Sequence, residues 1–346
     1  MKKRCLALVM AAVLGMSLAA CGGGGNAPQS EESAGAGQTA GEGGAGAEET
    51  AGEKSAPKED VKIAYIVKAK TDEFWTSMEK GALAYAEEKG IQVDFQAPEK
   101  ETDVEKQVQF VENAVIKGYD AIILSAADSK SLIPSIVKAN DANIPVILVN
   151  DTIDMDALAE AGGKVETYVG IDQYEAAALA GTYAAENITD GKICYLEGIS
   201  GVAAHEDRLN GFKDQASGFE VVASQTAKCD RNEAFNVMQN VLSANPEVNV
   251  VWAINAEMGQ GAVQAIEQGG FSGKVQVFDF DASSDDVQAI QDGTLTGSVA
   301  QFPEIQASSA IQACLDVIEG KTLEEHTKTK AELITKENVE AFVASK

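Results

Sequence analysis

The residues able to do chemistry in this chain fall in short stretches that each follow an apolar run: 68–75, 150–151, 198–208, 229–230, 255–258, 280–281 and 301. Together they hold two adjacent aromatics, Phe74 and Trp75, the carboxylates Asp72, Asp151 and Asp281, the amides Asn150, Asn255 and Gln301, and one arginine, Arg208. A polyhydroxylated ligand needs that mixture. Each hydroxyl both donates and accepts, which suits acids, amides and arginine in one site, while the C–H face of a ring packs on an aromatic side chain. Paired acids in a cleft can also hydrolyse a glycosidic bond, but nothing here pairs a nucleophile with a base. The chain has two histidines, His205 and His326, and His205-Glu206 lacks the second histidine that a zinc-protease helix carries four residues after the first. No GxSxG or P-loop pattern occurs in the body, and Gly259-Gln260-Gly261 departs from a dinucleotide fingerprint at its third glycine. The expectation is a binding protein without cofactor, not an enzyme.

The elements that must position these residues alternate strictly. Short β-branched runs at 61–67, 91–95, 121–124, 145–149, 192–196, 220–224, 248–253, 274–280 and 296–299 predict strands. Amphipathic segments at 74–89, 104–117, 130–139, 174–186, 204–216, 232–244, 258–268, 284–291 and 304–319 predict helices, with Gly90 and Gly118 as stops after the first two. Alternation of this kind means parallel sheets with helices on both faces, and strands that read as near-continuous apolar runs fit burial on both sides. Two such series predict an α/β protein of two doubly wound lobes. In open α/β sheets ligands lie beyond the carboxyl ends of the strands, where all seven stretches fall.

Ahead of this body stand Lys2, Lys3 and Arg4, an apolar run at 6–18, and Leu18-Ala19-Ala20-Cys21. The layout predicts an export signal over 1–20. Residues 21–60 combine Gly, Ala, Ser, Glu and Pro with almost no large apolar side chain, so nothing there offsets the entropy of ordering. Eight carboxylates against Lys54 and Lys58 keep this tether extended, and as flexible coil it spans about 35 Å. The remaining chain is long enough for two lobes, and no second apolar stretch reaches the length of a spanning helix. A formal charge of −27 disfavours nucleic acid and anionic lipid heads. Cys194, Cys229 and Cys314 have no zinc-type spacing and cannot all pair within one chain, so neither a metal site nor a disulfide framework is expected; Cys194 and Cys314 read as core. Asn187-Ile188-Thr189 matches a glycosylation triplet by chance.

Several stretches carry a family resemblance: Ile63-Ala64 through Phe74-Trp75, Asn143-Ile144-Pro145-Val146-Ile147, Gly198-Ile199-Ser200-Gly201 with Arg208-Leu209-Asn210-Gly211-Phe212, and Asn236-Val237-Met238-Gln239-Asn240. In order and spacing they resemble the ribose- and galactose-type periplasmic binding proteins of ATP-driven sugar importers, the type I class, over residues 61 to about 329. Cys21 stands where the bacterial lipobox of such proteins places its lipidated cysteine, which implies a palmitate-bearing lipoprotein held at the cell membrane by lipid alone and facing the extracellular or periplasmic side. The family's fold implies two lobes joined by three hinge crossings, residues 61–171 with 302–330 and 172–301 with 331–346. Carried over by position, Asp72, Phe74, Trp75, Asn150 and Asp151 come from one lobe, and Arg208, Asn255, Asp281 and Gln301 from the other side or a crossing. Asp72 with Phe74 and Asn150 resembles the galactose/glucose type, whereas ribose-type members more often have Asn in the first loop and Asp-Arg after the fourth strand. Here Asp151 replaces that arginine, and the aromatic that many members place at Cys229 is absent. The calcium loop of some galactose-type members is not recognisable around Ile188-Thr189-Asp190-Gly191-Lys192. The implied partners are a small-molecule sugar, an ABC permease and its ATPase, with a sensor kinase or chemoreceptor as the alternative and the protein itself a monomer. Because Asp72, Asp151 and Asp281 face a single Arg208, an amino sugar or other cationic small molecule is the alternative ligand.

Each position also has a structural reading. Asp72 fits a helix N-cap, Phe74 and Trp75 fit the core-packed first turn of a helix, and Asn150-Asp151 fits a turn. Arg208 fits a solvated helix face, while Asn255, Asp281 and Gln301 fit structural roles at strand ends. A transcription regulator with the same core is disfavoured because no basic helix-turn-helix precedes the body.

Overall fold

The computed structural model describes residues 60–70 and 72–345, so the expected export signal, Cys21 and nearly all of the tether fall outside the described residues. In chain order the elements are β1 (Lys62–Ile66), α1 (Glu73–Lys89), β2 (Gln92–Gln96), α2 (Val104–Lys117), β3 (Ala121–Leu124), α3 (Ile133–Asp141), β4 (Val146–Val149), α4 (Met155–Glu160) and β5 (Thr167–Gly170). There follow α5 (Gln173–Asn187), β6 (Lys192–Glu197), α6 (Ala203–Gln215), β7 (Glu220–Thr226), α7 (Arg231–Ala244), β8 (Val250–Ala253), α8 (Ala256–Gln268), β9 (Gln276–Phe280), α9 (Ser284–Asp292) and β10 (Gly297–Ala300). The chain ends with α10 (Pro303–Ile318), β11 (His326–Lys328), β12 (Glu332–Thr335) and α11 (Val339–Ala344).

Two six-stranded sheets result, ordered β11-β5-β4-β3-β1-β2 and β12-β10-β9-β8-β6-β7. The inner strands β3, β4 and β8 are buried at every position, as apolar runs covered on both faces must be. The chain passes between the sheets three times: after β5, after β10, and between β11 and β12. One strand departs from the all-parallel expectation. β12 pairs antiparallel with β10, because it arrives from β11 over a short link with no helix to return it to the other end of the sheet. The short elements α4, β5, β11, β12 and α11 had no counterpart in the sequence reading.

Local signals set the helix ends. Asp72 caps α1 by accepting from the Trp75 amide at 3.0 Å, and Gly90, in the left-handed region at φ 66°, ends it by donating to Ala86 and Glu87 carbonyls. Ser283 and Asp286 close a capping box on α9.

Asp279 of β9 is wholly buried beside Ser298 and Asp286, and among the described residues no well-formed hydrogen bond reaches its carboxylate oxygens. It fits only because α8 carries Gly259 opposite, where a Cβ would stand 2.0 Å from Asp279 Oδ2. Burial, reinforced by the nearby Asp286, pushes the Asp279 carboxyl well above its ordinary range, so it is neutral in the fold. Burial also lifts Asp286 to about 6. Both shifts are upward, so the stability they contribute is complete below about pH 4 and is lost as pH rises through the folded values. Asp279→Asn removes the share of that loss that Asp279 carries. The variant is expected to melt about 2–4 °C above the parent at pH 7 and together with it near pH 4, as read by thermal denaturation; equal melting at both pH values would contradict a neutral Asp279.

Candidate functional site

A cavity lies between the carboxyl ends of the two sheets, walled by Lys68, Asp72, Phe74, Trp75, Glu101 and Asn150 from one lobe, and by His205, Arg208, Cys229, Asn255, Asp281 and, at a crossing, Gln301 from the other side. Its empty volume is about 270 Å³, and the lobes stand closed on it. Bonds across the cleft agree. The Glu73 carboxylate of α1 accepts from the Ser284 amide at 2.9 Å and from its hydroxyl, while Ser129 donates its amide to the Gly201 carbonyl at 3.0 Å and accepts from the Ala203 amide at 3.1 Å.

Eight of the nine residues singled out in the sequence meet at this cavity. Phe74 and Trp75 occupy the first turn of α1, 8% and 3% exposed, edge to face at 4.8 Å; they serve the core and the cavity wall at once. Asp72 is likewise both cap and wall. Asn255 caps α8 through Oδ1, accepting from the Met258 amide at 3.1 Å, and its Nδ2 makes no hydrogen bond among the described residues. Arg208 is buried rather than solvated. Its Nε donates to Gln173 at 2.8 Å, Nη1 to the Ile254 carbonyl at 3.0 Å and Nη2 to Gln301 at 3.4 Å, with the guanidinium 4.1 Å above the Phe280 ring.

Gln301 joins the halves. Its Oε1 accepts from Asn150 Nδ2 at 2.8 Å as well as from Arg208, and its Nε2 donates to Asp281 at 2.5 Å. Gln306 Nε2 holds the Gln301 carbonyl at 2.9 Å, and Gln173 Nε2 holds the Asn150 carbonyl at 2.8 Å. Asn150, Cys229, Asp281 and Phe302 all take positive φ, at 60°, 60°, 96° and 52°. Such strain at strand ends persists only where surrounding bonds hold it; Asn150, Cys229 and Asp281 line the cavity, whereas the Phe302 ring packs against Phe342.

Asp151 is the exception. It is 1% exposed but does not reach the cavity wall; Oδ1 accepts from Lys68 Nζ at 3.1 Å and Oδ2 from the Ser125 hydroxyl at 2.7 Å. It stands beneath Lys68 and positions it. Lys68 in turn lies 3.3 Å from His205 Nε2 and 3.5 Å from Glu101 Oε2. Burial lowers the Lys68 pKa, but Asp151 and then Glu101 outweigh it, so the ammonium is retained.

Lys68, Glu101, His205 and Cys229 form a second wall that the sequence reading did not select. Lys68, His205 and Cys229 lie within its strand-end stretches, whereas Glu101, in the loop after β2, carries no local signal. Burial, followed by the charges of Lys68 and Arg208, depresses the His205 pKa well below its usual value, leaving a neutral ring. Burial and Glu101 push the Cys229 thiol up, so it is not a thiolate. Ligand atoms of Glu101, His205 and Cys229 all lie within 4.8 Å of one another, a set that suits a soft divalent ion. The Lys68 ammonium beside two of them opposes a cation there, and the geometry does not fit a resident metal.

The buried Lys68–Asp151 pair generates a stability prediction. Lys68→Met strands the Asp151 carboxylate and is expected to destabilise the chain by about 3–5 kcal/mol in urea unfolding, with the Lys68→Met/Asp151→Asn double variant recovering most of it. A double variant as unstable as the single would contradict a coupled pair.

The model of the periplasmic binding protein domain matches residues 63–322. The chain is 31% identical over 280 residues to the ribose import binding protein of Bacillus subtilis (strain 168), covering 80% of this chain and 88% of that protein. A periplasmic solute binding protein of an ABC transporter from Actinobacillus succinogenes 130z, solved with bound D-allose, matches with a TM-score of 0.78 at 33% identity, over 82% of this chain and 100% of that one. A solute binding protein from Bacillus halodurans C-125, with bound myo-inositol, matches with a TM-score of 0.75 at 28% identity, over 84% and 100%. These relatives bind solutes and do not transform them. A family match over well more than half of the chain, on two six-stranded sheets that close around a polar cavity, places this protein in the periplasmic binding protein family.

Proposed function

We propose that this chain captures a monosaccharide or similar polyol by hinge closure and delivers it to an ABC permease driven by a cytoplasmic ATPase. The carrying observation is the cavity itself, where Trp75 and Phe74 offer an apolar face and acids, amides and Arg208 from both sides of the cleft surround it. The relatives' ligands, ribose, D-allose and myo-inositol, share that bipolar character.

In this reading residues 61–171 with 302–330 and 172–301 with 331–346 act as the two jaws, and the three crossings are the hinge. An open form admits the ligand. A sugar that bridges Asp72, Asn150, Arg208, Asn255, Asp281 and Gln301 stabilises the closed form through contacts available only there. Each buried partner left without its hydroxyl costs about 1–3 kcal/mol, so epimers are told apart. Asp151 contributes by holding Lys68 rather than by touching the ligand. Lipid on Cys21 keeps the jaws at the outer side of the cytoplasmic membrane, and residues 21–60 give them reach.

A thermal-shift screen of the full chain over monosaccharides and polyols tests the reading, since a ligand of the native state raises the melting temperature with the logarithm of its concentration. At least one is expected to do so, and Arg208→Ala is expected to weaken it at least about tenfold while unfolding cooperatively; unchanged affinity would reject this site. Cys21→Ala is expected to abolish palmitate labelling and release the chain from the membrane fraction, and retention there would remove the lipid anchor from the account.

A further inference from the structure

Four helices follow strands β6 to β9 at the cleft, and three of them close their own amino ends. Asp230 caps α7, Asn255 caps α8 and Ser283 caps α9, each accepting backbone amides of the first turn. α6 has Val202 at that place, and no side chain of its own segment serves it, although it carries His205 and Arg208 into the cavity wall. Valine is among the poorest residues for a cap. The missing acceptor comes from across the cleft. Ser129, in the stretch after β3, takes the Ala203 amide at the first position of α6 on its hydroxyl oxygen at 3.1 Å, and its own amide donates to the Gly201 carbonyl at 3.0 Å.

The two facing loops are shaped for this contact. Asp128 Oδ1 accepts from the Lys130 and Ser131 amides at 3.0 and 2.7 Å and so fixes the turn that holds Ser129. Gly201, at φ 88°, lies so near that a Cβ would stand 3.0 Å from Asp128 Oδ2. The same device recurs at α9, whose strand β9 is separated from β6 by β8 in the sheet. There the capping box serves the Ser283 and Asp286 amides, and the Ser284 amide, at the first helical position, goes to the Glu73 carboxylate at 2.9 Å, joined by the Ser284 hydroxyl. None of Glu73, Ser129, Ala203 and Ser284 lines the cavity.

We propose that Ser129 and Glu73 are caps given in trans: each completes the amino end of a helix across the cleft, α6 and α9, only when the lobes are closed, and together they slow ligand release without touching the ligand. The inference rests on capture by closure and names residues that set how long capture lasts. In the open form the Ala203 and Ser284 amides turn to water, so these bonds are gained on closing alone, in addition to the contacts the ligand makes. Ser129 acts through α6 and is a positioning residue. Its bond is partly buried, whereas Glu73 and Ser284 are exposed, so Ser129 carries the larger share.

The test is stopped-flow binding and titration calorimetry of the full chain with D-ribose, D-allose, D-glucose, D-galactose and myo-inositol, continued with whichever binds the unaltered chain most tightly. Ser129→Ala is expected to raise the dissociation constant about three- to tenfold, nearly all of it in the off-rate, and Ser129→Thr, which keeps the hydroxyl, to stay within about twofold. Ser284→Pro removes both donors to Glu73 while supplying a residue favoured at the first helical position; it is expected to raise the off-rate about two- to fivefold, and the two effects multiply in the double variant. Without ligand, Ser129→Ala is expected to melt within about 1 °C of the parent, and Ser284→Pro no lower than the parent. An off-rate unchanged in the double variant, or a loss carried by the on-rate, would overturn the inference and leave the polyol reading standing. A ligand-free Ser129→Ala chain that melts more than about 3 °C lower, or does not fold, would make Ser129 an ordinary structural residue and overturn it as well. Failure of every polyol in the thermal-shift screen to bind would take both readings down.

Discussion

A polar cavity sealed between two lobes must satisfy its donors and acceptors in the closed state, and the amide of Gln301 is where this protein meets that constraint. Its oxygen accepts from Asn150 and Arg208 and its nitrogen donates to Asp281, so one side chain on a crossing segment ties residues of both sheets together. An unpaired buried group costs about 1–3 kcal/mol, which makes closure with these partners in register far better than closure out of register. Left-handed backbone at Asn150 and Asp281 is held in place by the same network.

The second constraint is electrostatic. Lys68 is buried among Asp151, Glu101 and His205, where an ion pair is stabilising only if both partners remain. Lys68 reaches Asp151, which follows β4, from the end of β1, with β3 lying between the two strands. Together with Asp151 the Lys68 side chain fills one side of the cavity floor.

Much of the lobe architecture was legible because its signals are local. Strands such as 121–124 are unbroken apolar runs, α1 is bracketed by Asp72 and Gly90, and ligand loops of such sheets follow strand ends. What was not legible depends on pairing between distant segments. β5 and β11 are short, and β11 reads His-Thr-Lys, which becomes a strand only beside β5. Asp151 looked like a cavity residue because it adjoins Asn150, which lines the cavity; with Asn150 turned at φ 60°, its neighbour faces Lys68, 83 positions away. Glu101 sits among alternating charges in a loop, and only Trp75 and Lys68 reveal its place.

Solution X-ray scattering of the full chain, with and without a saturating amount of the polyol that most raises its melting temperature, tests the central claim most directly. The account predicts an open ligand-free form whose radius of gyration falls on binding, to a scattering curve matching the closed lobes described above. Identical curves in the two states, with binding verified in the same sample, would contradict capture by closure of the two lobes.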